Sequence, residues 1–177
     1  MSLIEYRSLV FEISERLDEL NVRRRLLYMC SGKIAPGRED NIQNVLSLFK
    51  ELEKQNHLGP DRLEVMKELL KAVREWSFFG KVKHFERKRK EYNDLLDQII
   101  RALDELNVVE RLVAICREEI PEESERQIQD VRSLFKELEN KNNLGIDRLD
   151  ILKRILTETE QIDLLKEVKE FEERRNS

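Results

Sequence analysis

Glycine and proline are scarce in this sequence, five and three among 177 residues. So few turn formers cannot punctuate a sandwich or barrel of many short strands, nor build a low-complexity linker. Cysteine occurs only at Cys30 and Cys116, too little for the disulfide framework of a small secreted domain. Each ends an apolar run, LLYMC or VAIC, and reads as a buried thiol in a reducing, intracellular setting. Histidine is as rare: His57 and His84 have no partner at metal-ligand or triad spacing. Neither a Gly-rich phosphate loop nor a His-Glu-x-x-His pattern is present. No catalytic residue, cofactor or metal is therefore expected. No apolar stretch reaches membrane-spanning length, and the start MSLIEYRSLVFEI is acidic where a signal peptide is basic. Neither a membrane span nor secretion is expected. An excess of one sign of charge is also missing: 33 basic and 37 acidic side chains are well mixed, for a net −4. That favours solubility and gives no overall electrostatic footprint for nucleic acid.

What the sequence does have is a repeat. SLFKELE at 47–53 returns at 133–139, 86 residues later. LDELNV at 17–22 returns at 103–108, and NHLGPDRL at 56–63 returns as NNLGIDRL at 142–149. Without a gap, 38 of the 85 pairs from Glu5/Glu91 to Arg89/Arg175 are identical, so one module has been made twice. Two domains are expected, 1–89 and 90–177.

In each copy the apolar period is 3.6. Leu3, Leu9, Val10, Ile13 and Leu17 predict a first helix, and Leu20 to Cys30 a second with Asn21 as its N-cap. SGKIAPGRED interrupts the pattern, leaving room for a loop and a short third helix. Ile42, Val45, Phe49 and Leu52 share one face of a fourth helix, which turns Lys50, Glu51 and Glu53 to water. Gly59 is expected in the turn that ends it, and Pro60 at the start of a fifth helix over about 61–73. Phe78, Phe79, Val82 and Phe85 predict a sixth over about 77–89. No linker separates the copies, so the expected fold class is all-α, two tandem six-helix bundles rigidly fused.

This plan resembles tandem death effector domains. The carriers of the likeness are the Cys ending the second helix, Ile120-Pro121 after it, the aromatic-Leu-Glu helix ending in Asn-x-Leu, and Asp163 to Leu165. The second copy matches more clearly than the first. Such tandems form the prodomains of initiator caspases and the FLICE-like inhibitory proteins that compete with them. The resemblance implies a death-type fold and a cytoplasmic, non-catalytic module that docks homotypically on adaptors and caspase prodomains in apoptosis. Any caspase domain would lie outside this chain.

Two family features are altered. An acidic residue on the second helix and Arg-x-Asp-Leu on the sixth form a polar network in the family. Here the acidic slot is Val22 and Val108, and the sixth-helix slot reads Glu75-Trp76-Ser77-Phe78 and Gln161-Ile162-Asp163-Leu164. Only Asp163 keeps the signature. The family's Phe-Leu plug on the second helix becomes Tyr28-Met29 in the first copy and Ala114-Ile115 in the second. The resemblance thus implies protein-binding roles for these four residues and for Glu75, Trp76, Gln161 and Asp163. Tyr28 and Met29 are expected to be buried in packing between the two domains, and Trp76 to be partly exposed. The basic run KVKHFERKRK at 81–90 carries the alternative reading, a nuclear or nucleic-acid-associated helical protein.

Overall fold

The helices of each copy are placed by apolar stripes, and most are ended by a residue that turns the backbone left-handed. The computed structural model describes residues 3–177. Two units emerge, Leu3–Lys90 and Glu91–Ser177, built from ten α-helices among the described residues. The first holds α1 (Leu3–Glu19), α2 (Arg23–Met29), α3 (Val45–Lys54), α4 (Glu64–Ala72) and the stretch of α5 (Trp76–Glu105) up to Lys90. The rest of α5 lies in the second unit with α6 (Val109–Ile115), α7 (Glu122–Glu125), α8 (Val131–Asn140), α9 (Asp150–Glu158) and α10 (Ile162–Asn176).

The twice-spelled string occupies α3 and α8. Val45, Leu48, Phe49 and Leu52 are fully buried in the first unit, and Val131, Leu134, Phe135 and Leu138 are buried in the second. Its serine closes a capping box. The Ser47 backbone N–H donates to Asn44 Oδ1 at 2.8 Å, while the Asn44 N–H donates to Ser47 Oγ at 3.1 Å. Asp130 and Ser133 repeat both bonds at 2.7 and 3.1 Å. Two donors that a helix start otherwise leaves unpaired are satisfied.

Glu51 departs from the expected water-facing position. It is buried, accepting from Gln55 Nε2 at 3.2 Å and pairing with Arg38 at 3.7 Å. Glu53 is exposed but accepts the Tyr6 hydroxyl at 2.7 Å, tying α3 to α1. Burial, reinforced by the Glu53 carboxylate, raises the Tyr6 pKa.

Asn21, expected to begin a helix, ends one instead. Asn21 and Asn107 have φ of 55° and 51°, and their N–H groups reach the carbonyls of Asp18 and Asp104 at 3.0 and 3.1 Å. Asn21 therefore closes α1, and Val22, which has no side-chain acceptor, stands at the start of α2. The expected role of Gly59 passes likewise to Asn56 (φ 63°) and Asn142 (φ 61°). The His57 N–H donates to the Leu52 carbonyl and the Asn143 N–H to that of Leu138, both at 2.8 Å, which is the Schellman arrangement. Gly59 and Arg62 instead exchange backbone hydrogen bonds around Pro60, and α4 starts only at Glu64.

The expected third helix forms only in the second unit, as the single turn α7 behind Pro121. In the first, Gly32, Pro36 and Gly37 (φ 82°) leave two 3-10 turns, Ser31–Lys33 and Glu39–Asn41. The backbone freedom of glycine and the missing N–H of proline disfavour a regular helix there.

Several polar clamps recur at the repeat distance. Lys67 on α4 reaches Glu86 on α5 at 2.8 Å and Glu64 at 2.5 Å; Lys153 on α9 reaches Glu172 on α10 and Asp150, each at 3.0 Å. Burial alone would lower the Lys67 pKa, but the two carboxylates outweigh it and the net shift is upward. Arg89 pairs with Asp61 at 2.8 Å and Arg175 with Asp147 at 3.4 Å.

Two left-handed positions lack the residue suited to them. Arg74 (φ 60°) and Glu160 (φ 58°) end α4 and α9, where a side chain with a Cβ is strained. Arg74→Gly and Glu160→Gly should each stabilise the protein by about 0.5–1 kcal/mol in urea denaturation. A destabilisation at either position would contradict the assigned helix ending.

The Asp130 cap also makes a pH prediction. Its hydrogen bonds from Ser133 hold the carboxyl below its ordinary 3.8. The stability it contributes is therefore present above that value and is lost as pH falls through the lowered one. Asp130→Asn should flatten the acid limb of thermal stability, since Asn44 already caps α3 without a titrating group.

Candidate protein-interaction site

On a seven-residue helix such as α2, only one row can face inward. Leu26 and Cys30 take it, with 0% and 1% exposure. Burial raises the Cys30 thiol, as it does Cys116, which Glu119 also helps push up to about 12. Tyr28 lies about 200° around the helix from Leu26. It is 83% exposed and Met29 is 37% exposed. Within the first unit neither is part of the core, because the inward row is already filled. Arg23 anchors the first turn by donating to the carbonyls of Ile42, at 3.4 Å, and Gln43. Arg24 and Arg25 stay exposed, so the outer face of α2 presents an aromatic ring, a thioether and two guanidinium groups.

The matching face of α6 is built differently. Ala114 is exposed and Ile115 half-buried, and both line an open recess with Arg111, Arg117, Arg154 and Glu158. Arg111 donates to the Glu158 carbonyl at 2.5 Å. Arg154 donates to the Ile115 carbonyl at 3.1 Å and to Glu119 at 2.6 Å. Where one unit projects a ring, the other offers a shallow cation-rimmed hollow.

The sixth-helix slots also differ. Glu75, at the position where the resemblance leads one to expect arginine, accepts from Arg16 Nε and Nη2 at 3.3 Å. The pair has its polarity reversed, with the cation supplied by α1. Trp76 is 57% exposed, in keeping with its variable slot, and stands edge to face with Phe79 at 5.7 Å. Phe78 packs partly against the core. In the second unit Gln161 donates to the Thr159 carbonyl at 3.4 Å, while Asp163 is exposed and Leu164 is buried. Val22 and Val108 are half-buried. The structure joins Ala114 to Ile115 in one recess and Glu75 to Arg16, but Gln161 and Asp163 take no part in that recess. Arg16, Arg111 and Arg154 were not singled out from the sequence. Arg111 is one half of an identical pair with Arg25, which is the signal that was available.

Two all-α units exposing helix faces suited to protein contact define a tandem helical interaction module. Residues 6–88 and 92–174 each match the death effector domain model. The chain belongs to the death effector domain family and carries the domain in tandem. It is similar to Caspase-8 of Mus musculus, 26% identical over 129 residues that cover 71% of this chain and 26% of the relative. It is also similar to the FAS-associated death domain protein of Homo sapiens, 33% identical over 61 residues covering 34% of this chain and 29% of the relative. The chain thus spans under a third of the length of either relative.

Tyr28→Ala should change the unfolding free energy by no more than about 0.5 kcal/mol, because an exposed ring has little folded contact to lose. A loss of about 3 kcal/mol or more in urea denaturation would show that the ring is buried.

Proposed function

We propose that this chain is a non-catalytic docking module of apoptotic signalling, an adaptor or competitive regulator of initiator caspase recruitment acting in the cytoplasm. The carrying observation is Tyr28, 83% exposed on α2 in a domain family of interaction modules. Exposed Tyr and Arg at the centre of a patch are the residue types that dominate protein–protein binding energy. The similarity to Caspase-8 and to the FAS-associated death domain protein supports partners of the same domain type.

The two units are unequal partners in this reading. The ring missing at Ala114 removes apolar area worth about 2–3 kcal/mol per contact, or about 30–150-fold in affinity. Growth outward through α6 is accordingly weak, and the module acts as a terminator more than an extender of a death effector assembly.

Binding to the purified death effector domain of the FAS-associated death domain protein tests the proposal. Tyr28→Ala should weaken capture by about tenfold or more, whereas Ala114→Phe should strengthen it or turn a soluble protein into a filament-forming one. Unchanged capture by Tyr28→Ala, or spontaneous filaments of the unaltered chain in light scattering, would count against the proposal.

A further inference from the structure

The basic run at 81–90 is not one patch once its contacts are assigned. Lys81 is paired to Glu12 at 3.2 Å, and Arg89 is drawn to Asp61 at 2.8 Å. Glu86, the acid of the run, is held by Lys67. What remains is a row on the side of α5 away from Val82 and Phe85, which face the core. At 100° per residue, Trp76, Gly80, Lys83, Arg87 and Lys90 fall on one stripe about 21 Å long. The three cations are exposed, and among the described residues none is paired with a carboxylate in the way that Lys81 and Arg89 are. Gly80, Lys83, Arg87 and Lys90 border one open groove together with His84 and Glu86. His84 Nδ1 lies 3.1 Å from the Arg87 guanidinium.

The aromatic end of the row is built from ordered contacts. Trp76 stands edge-on to Phe79, and the Lys83 ammonium lies 5.4 Å from the centre of the Phe79 ring. In the duplicate module Trp76, Gly80, Lys83, Arg87 and Lys90 are matched by Ile162, Lys166, Lys169, Glu173 and Asn176, and Phe79 by Leu165, so the rings are absent and Glu173 interrupts the cations. This surface belongs to the first unit alone.

We propose that this stripe binds single-stranded nucleic acid, with Lys83, Arg87 and Lys90 on successive phosphates and Trp76 as a stacking platform for a base. The cations are spaced about 6 and 4.5 Å along the helix axis, a row one side chain wide that suits a single strand. A membrane is disfavoured because the apolar face of this helix is spent on the core, leaving no such face to insert. The overall charge of −4 does not prevent it, since at 0.1 M salt each charge is felt over only about 10 Å. The proposal does not rest on the docking role of α2.

The test uses the full chain and a labelled oligothymidylate of about twelve nucleotides. Anisotropy should rise on binding, and emission from Trp76, the sole tryptophan, should be quenched. Three phosphate contacts predict about 20-fold weaker binding between 50 and 200 mM salt. The triple variant Lys83→Gln, Arg87→Gln, Lys90→Gln should lose about tenfold or more while still capturing a death effector domain partner; Lys169→Gln should bind as the parent does. No binding at low salt, or binding indifferent to the triple variant, would overturn the proposal. So would a Trp76 blue shift with phosphatidylserine vesicles in the absence of any response to the oligonucleotide.

Discussion

Each unit depends on burying the whole apolar face of one short helix. A module of this size hides only about 60–65% of the surface its unfolded chain exposes, so it has little apolar burial to spare. The four zero-exposure side chains of α3, Val45, Leu48, Phe49 and Leu52, form the centre against which the other helices are arranged. Replacing a buried Phe or Leu of that kind by alanine removes about 2–5 kcal/mol, a large share of the stability of a small domain. That constraint explains why SLFKELE was kept letter for letter after duplication. Its apolar letters are core, its serine closes the capping box, and in the first unit its glutamates bind Gln55 and Tyr6.

What stayed identical elsewhere follows the same logic. Lys67 and Glu86, Asp61 and Arg89, and their counterparts 86 residues on, fasten the last helix of each unit to the segment before it. Outward positions were free to diverge. Arg24 became Glu110, Tyr28 became Ala114 and Arg87 became Glu173, each with little consequence for packing. Function in such a module lives on the faces that the core does not constrain.

The apolar stripes were legible because helical periodicity reports burial directly: Val45, Phe49, Val82 and Phe85 all sit where the 3.6 period puts them. The ends of helices were less legible. Asn21 before an apolar run satisfies the composition of an N-cap, and Asn56 lies close to a glycine, the residue that takes a left-handed backbone most readily. Only the backbone shows that both asparagines close the preceding helix. Glu51 was misplaced because charge argues for water while its position beside Leu52 argues for burial, and Gln55 and Arg38 make the burial tolerable. The exposure of Tyr28 was open to the same helical geometry, but the family's plug drew attention to the residue's chemistry over its angle on the helix. Pairings such as Arg16 with Glu75 join residues 59 apart, and one chain read by itself contains no pattern that pairs them.

That last pair bears on how the module chooses partners. An exposed ion pair contributes little stability, typically under about 1 kcal/mol, because water and salt compete with it. Its weight lies in orientation: Glu75 is fixed against α1 at the residue that precedes Trp76, and Trp76 in turn leans on Phe79. With Glu75 in the slot and Arg16 as its counter-ion, the slot itself has no arginine to offer a partner. On α2, by contrast, Arg24 and Arg25 stay exposed beside the Tyr28 ring. Exposed rings thus sit beside exposed cations on α2, at Tyr28, and on α5, at Trp76, both in the first unit.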